Sequence, residues 1–145
     1  MIQRIQTIFL LLAALAASGT FFLPFASSPE AVANSILADQ TYDIWDNIVL
    51  EILFGATVLI SLISIFQFKN RKQQMRTNLF ALFFVMVGAV IVIVQLLQAN
   101  NLLDAGNVQP TVGFVAPFVT IVFLSLAYYF IKKDEKLVKS MDRLR

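Results

Sequence analysis

Glu51 is the one ionisable residue inside a predicted membrane span, and an intramembrane carboxylate is by default a candidate for proton or ion chemistry. It lies four residues past Asn47, about 6 Å along a helix, which places it near the outer headgroups. Gln95 and Gln98 are expected at the same depth, because the third span runs in the opposite direction. Three interpretations stay open: a solvated interfacial glutamate, hydrogen bonds that hold helices together, and an outward-facing polar cluster of these three side chains that binds a ligand.

The residue types of enzyme sites are scarce. The sequence has no Cys and no His, so thiol nucleophiles, thiolate metal sites and the commonest general base are excluded. Asp39, Asp43 and Asp46 would share one face of a helix, but a calcium site needs six to eight oxygens and a tight turn, which favours a solvated acidic face. We therefore expect no catalytic residue, no cofactor and no metal, and a protein that is not an enzyme.

The composition requires a bilayer around most of the chain. Of 145 residues, 59% are hydrophobic and 14% are charged, against about a quarter charged in a soluble protein. Four apolar stretches have the length that crosses a membrane as a helix. The sequence predicts a single all-α domain over 1–145, an up-down antiparallel bundle of four spans, in which Pro117 bends the fourth helix. The predicted spans are 5–26, 48–68, 79–98 and 112–131.

The charges indicate how the spans are oriented. All eleven lysines and arginines lie on the N-terminus, the second loop and the tail, whereas every charged residue of the first and third loops is acidic. Basic residues in short loops stay in the cytoplasm, so both termini are predicted to be cytoplasmic, and nucleic acid is not needed to explain the basic balance. Residues 31–33 resemble a signal-peptidase site, but 5–26 is longer than a secretory apolar region, which favours a retained first helix.

The tail over 132–145 is the most patterned polar segment. Its apolar residues recur at helical spacing, and Glu135 and Lys139 form an i,i+4 pair in the favourable order. The pattern predicts an amphipathic cytoplasmic helix. It either lies along anionic headgroups or docks on a protein partner.

Three segments carry a family resemblance: MIQRIQT at 1–7, KNRKQQMR at 69–76 and KDEKLVKSMDRLR at 133–145. The chain resembles a family of small four-helix inner-membrane proteins of Bacteroidetes, a domain of unknown function, over its entire length. The resemblance implies the cytoplasmic membrane of a Gram-negative cell. It supplies no catalytic residues, and all three segments fall on the predicted cytoplasmic face.

The spans are apolar and carry few polar side chains, whereas the predicted cytoplasmic segments carry regular patterns of charged and apolar residues. This distribution favours a non-catalytic accessory or stabilising subunit that docks on a larger membrane complex through its cytoplasmic face. The expected partners are the lipid bilayer, a bound lipid and other membrane subunits. The alternative is a small oligomeric transporter or channel with its polar cluster around Glu51. The predicted partner contacts are Arg71, Lys72, Asp134, Glu135, Leu137, Val138, Met141, Asp142, Arg143 and Leu144.

Overall fold

The computed structural model describes residues 2–29, 36–102 and 108–142. Within them the chain forms four α-helices, two short 3-10 helices and three two-residue strands. The 3-10 helices are Ile44–Asp46 and Val112–Val115. The α-helices are α1 (Ile2–Gly19), α2 (Ile48–Phe66), α3 (Arg71–Leu102) and α4 (Ala116–Asp142), and the strands are β1 (Ala26–Ser27), β2 (Thr41–Tyr42) and β3 (Gln109–Pro110). The protein is therefore essentially all-helical, as predicted.

The four helices form a closed ring in which each packs on two neighbours. α1 packs on α2 and α4, and α3 packs on the same two helices. Gln6 near the start of α1 bonds to Phe130 in the second half of α4, so these helices run in opposite directions. α2 and α3 are joined by a four-residue connection and form a hairpin.

Small side chains fill much of the bundle interior, together with large ones such as Phe54 and Leu124, while many large apolar side chains lie outside it. Ala13, Ala17, Ala81 and Ala127 are fully buried. Each of the four helices also exposes large apolar side chains, and Phe80 on α3 is 62% exposed. Small interior residues allow the close helix approach that is typical of helix packing in lipid, and the extensive apolar surface is compatible with a membrane protein.

Three of the helices are long and apolar enough to cross a membrane, as judged over the described residues. They are Ile48–Phe66, Arg71–Asn101 and Val112–Ser140, while α1 contributes the shorter apolar segment Ile5–Gly19. The 32 residues of α3 extend about 48 Å at 1.5 Å per residue, against about 30 Å for a hydrocarbon core. α3 therefore has room for several polar turns beyond its apolar centre.

The first helix is shorter than the sequence predicts. α1 ends at Gly19 and not at residue 26, because the next residues turn and enter a small antiparallel sheet with strand order β2-β1-β3. The backbone N–H of Phe25 donates to Tyr42 at 2.7 Å, and that of Thr111 donates to Phe25 at 3.0 Å. The sheet closes one end of the bundle, which we call the acidic end.

The third helix differs from prediction at the opposite end, where α3 begins at Arg71 and not at residue 79. The predicted tail helix is present as a continuation of the fourth helix, because α4 runs without interruption to Asp142. The bend predicted at Pro117 falls at the junction between the 3-10 helix Val112–Val115 and α4, and not within α4. Pro117 is the second residue of α4, where its missing N–H has little to disrupt. We call this end, which carries residues 69–76 and 132–142, the basic end.

Candidate functional site

A groove lies at the basic end, between the α2–α3 connection and the last turns of α4. Its volume is about 540 Å³. Four cationic side chains and one carboxylate line it, together with two apolar side chains and one amide. The lining residues are Phe68, Lys69, Asn70, Arg71, Lys72, Glu135, Val138 and Lys139. Residues 60 positions apart in sequence thus form one basic concave surface.

An internal ion pair holds the two walls of this basic groove together. Nε of Arg71 lies 2.9 Å from Oδ2 of Asp134, and Asp134 is only 8% exposed. Oδ2 accepts no hydrogen bond, so the contact is an ion pair whose N–H is not directed at the oxygen. Asn70 caps α3 beside it, since its side-chain oxygen accepts from the backbone N–H of Gln73 at 3.3 Å. These contacts fix the start of α3 against α4.

Of the lysine side chains that line the basic groove, one forms an ion pair with a described residue and two do not. Nζ of Lys139 lies 3.0 Å from Oε1 of Glu135, one helical turn away. Lys69 and Lys72 make no ion pair with any described residue. The groove therefore presents two lysine ammonium groups free to meet an anionic partner.

Buried amide side chains lie beneath the basic groove and join the helices. Nε2 of Gln6 donates to the carbonyl of Phe130 at 3.2 Å. Nδ2 of Asn78 donates to the carbonyl of Leu124 at 2.9 Å. Each of these bonds links two different helices, and a buried amide without such a partner would destabilise the fold.

A third buried amide, Gln74, donates from Nε2 to the carbonyl of Ser64 at 3.0 Å and links α3 to α2. Gln74 and Asn78 lie between the predicted spans 48–68 and 79–98, so hydropathy alone places both of them in a loop. A signal was present: with Ala81 and Val85 they continue one face of α3 at spacings of three and four.

The predicted partner contacts fall into three groups. Arg71, Lys72, Glu135 and Val138 line the basic groove. Asp134 lies behind it in the ion pair, and Leu137 is exposed on α4. The side chains of Met141 and Asp142, and the whole of Arg143 and Leu144, lie outside the described residues.

The predicted polar cluster lies at the acidic end, and no hydrogen bond joins its three members among the described residues. The buried hydroxyl of Tyr42 donates to Oε1 of Gln95. Glu51 lies in the first turn of α2, partly exposed, and Gln98 is exposed on α3. Burial raises the pKa of the Tyr42 hydroxyl well above its ordinary value, and the negative charge of Asp46 adds to the effect.

The acidic loop does not form the single helical face that its spacing suggested. Oδ2 of Asp46 accepts a hydrogen bond of 2.7 Å from the backbone N–H of Asp43, next to the 3-10 helix Ile44–Asp46. Burial raises the pKa of both carboxyls, and the charge of Asp39 adds to this effect. Among the described residues there is no group of three carboxylates that could hold a metal ion.

The fold and the basic groove define a class: a helical bundle with an apolar outer surface, three helices of membrane-spanning length and a polar groove at one end. Residues 2–144 match the family described as Domain of unknown function (DUF4293), and the chain belongs to that family. The resemblance to an uncharacterised family is thereby confirmed. No curated protein and no solved structure matches the chain.

Proposed function

We propose that this protein crosses a bacterial cytoplasmic membrane four times, with both termini in the cytoplasm. The apolar outer surfaces of all four helices support this topology, as does the absence of lysine and arginine from the first and third loops of the sequence. α1 is the shortest span. Its 18 residues extend about 27 Å, and the exposed side chains of Phe22 and Leu23 prolong its apolar surface.

Within that membrane, the protein serves as a non-catalytic accessory or stabilising subunit of a larger complex, docked through its cytoplasmic face. The basic groove is the observation that carries this proposal. It is concave and pre-formed, rigidly held by the Arg71–Asp134 ion pair, and it contains unpaired lysine side chains. Such a surface suits an acidic segment of a partner subunit. The absence of His and Cys from the sequence supports a role without catalysis.

The alternative, a small oligomeric transporter or channel around Glu51, receives less support. A polar pathway would need side chains that converge and remain free to bind a solute. Gln95 is instead engaged by Tyr42, and Glu51 lies at the start of α2 rather than near its middle.

A charge-reversal experiment tests the docking proposal. Lys69 and Lys139 line the basic groove, whereas Lys133 and Lys136 are exposed on α4 outside it. We expect the tagged wild type, purified in mild detergent, to bring a stoichiometric membrane partner. The Lys69→Glu/Lys139→Glu variant should lose that partner, while Lys133→Glu/Lys136→Glu, with the same change in net charge, should keep it. Purification of the wild type alone or as a homo-oligomer would contradict the proposal.

The topology has its own test, which the absence of native cysteine makes simple. Gln73 and Ala38 are exposed at opposite ends of the bundle. In spheroplasts, a membrane-impermeant thiol reagent should label an Ala38→Cys variant at once. A Gln73→Cys variant should be labelled only after the membrane is permeabilised. Labelling of Gln73→Cys in sealed spheroplasts would overturn the proposed orientation.

A further inference from the structure

One face of α3 changes from cationic to apolar within a single helical turn. Lys72, Arg76, Phe80 and Phe83 follow one another at helical spacings of four, four and three, and Leu79 lies three residues after Arg76 and four before Phe83, so the five residues lie on the same side of the helix. We call these five residues the α3 stripe. The last four line an open groove of about 480 Å³ whose surface is almost entirely apolar.

No part of the described chain covers the α3 stripe. The three apolar side chains are each between 46% and 62% exposed, and the opposite face of α3, with Gln74 and Ala81, is the one buried in the bundle. Lys72 and Arg76 are exposed and make no ion pair with a described residue. Asp134 and Glu135, the acidic side chains of α4 that the structure describes, already pair with other cations.

From this arrangement we propose that the α3 stripe binds an anionic phospholipid. The phosphate lies against Lys72 and Arg76, and an acyl chain lies along Leu79, Phe80 and Phe83. The inference rests on α3 crossing a membrane, as proposed above, but not on docking of a protein partner.

The chemistry of the two parts of the stripe selects this ligand. A guanidinium group binds a phosphate through two parallel hydrogen bonds, and an ammonium group adds a second positive charge. Two cations without a carboxylate favour a lipid of net negative charge, because a zwitterionic headgroup would bring a further cation. An acidic peptide could meet the charges, but it would leave the aromatic groove uncovered. A phospholipid satisfies the cations and covers Phe80 and Phe83 together.

Native mass spectrometry of the full-length protein in mild detergent tests the proposal. Phosphatidylglycerol and phosphatidylcholine with identical acyl chains are the two probes. We expect the wild type to retain phosphatidylglycerol at least about tenfold more tightly. The Lys72→Gln/Arg76→Gln variant should lose that preference, since each basic residue near an anionic headgroup contributes measurably to binding. The control Lys133→Gln/Lys136→Gln removes the same charge from exposed positions outside the stripe and should bind like the wild type.

A second variant, Phe80→Ala/Phe83→Ala, tests the apolar part and should weaken binding of both lipids. The melting temperature of each variant in detergent checks that it is folded. Three results would overturn the proposal. The first is equal binding of the two lipids by the wild type, and the second is a loss of phosphatidylglycerol binding to the same extent in the Lys72→Gln/Arg76→Gln and Lys133→Gln/Lys136→Gln variants. The third is displacement of the lipid by millimolar inorganic phosphate. Because the binding measurement contains lipid and no partner protein, its failure is distinct from failure of partner docking.

Discussion

The side chains of Arg71 and Asp134 form a largely buried ion pair at 2.9 Å, 22% and 11% exposed. Arg71 is the first residue of α3, and Asp134 lies 18 residues past the start of α4. The pair therefore fastens the end of a connection to a helix that is distant in sequence. It holds the walls of the basic groove at a fixed separation.

Breaking this pair should destabilise the bundle. Asp134→Ala leaves the largely buried guanidinium of Arg71 without its counter-ion, which should cost about 1–3 kcal/mol. Glu135→Ala is the control, because its pair with the exposed Lys139 should contribute no more than about 0.5 kcal/mol. Thermal melting in detergent measures both. Equal melting temperatures for the two variants would show that the buried pair does not stabilise the fold.

A methyl group at Gly113 should be incompatible with the acidic end. A Cβ added there would overlap the backbone carbonyl oxygens of Leu23 and Pro24, and backbone cannot easily move away. Gly113→Ala should therefore lower stability by about 1–3 kcal/mol, the usual range for overpacking. The control is Gly19→Ala, where an added Cβ meets nothing within 4 Å. If Gly113→Ala melts like Gly19→Ala, the close approach of residues 23 and 24 to Gly113 is wrong.

Removal of one hydroxyl tests the contact between the sheet and α3. Tyr42→Phe keeps the buried ring but leaves Oε1 of Gln95 without its donor, at an expected cost of about 1–2 kcal/mol. Tyr129→Phe provides the comparison, since Tyr129 is exposed on α4 and its change should be neutral. The free energy of unfolding in denaturant, measured for both variants, decides the point, and a neutral Tyr42→Phe would count against the hydrogen bond.

The acidic loop predicts a pH dependence with a definite sign. The pKa values of Asp43 and Asp46 are raised by burial and by neighbouring carboxylates, so the folded state binds protons more tightly than the unfolded state. These two groups should therefore favour folding as the pH falls from 7 through their raised pKa values towards 3.8. We expect the melting temperature of the wild type, relative to that of Asp43→Asn/Asp46→Asn, to rise over this interval. A constant difference between the two proteins would refute the assignment.

Hydropathy located the apolar helices but not their ends. The spans 48–68, 79–98 and 112–131 each contain the apolar part of a helix that the structure shows. α3 begins eight residues earlier than predicted because Gln74 and Asn78 are buried against backbone carbonyls of other helices. A polar side chain in sequence looks like a loop residue until a neighbouring helix supplies its partner.

At the acidic end, the sequence likewise does not reveal which backbone segments pair with one another. Residues 20–27 look like a continuation of the first span, yet they form turns and a strand whose partners are Thr41–Tyr42 and Gln109–Pro110. Pairing between segments so distant along the chain leaves no periodic pattern in any one of them. Likewise, Pro117 reads equally well as a kink or as a helix start, and only the position of the first turn of α4 distinguishes these.

Composition and local order are sufficient to predict the apolar helical class, the grouping of the charges and the lack of His and Cys side chains for catalysis. The packing of the helices is needed to establish which polar side chains are buried, which cations remain unpaired and where the grooves lie. These properties depend on the contacts between residues such as Arg71 and Asp134, which are 63 positions apart and meet only when the helices pack.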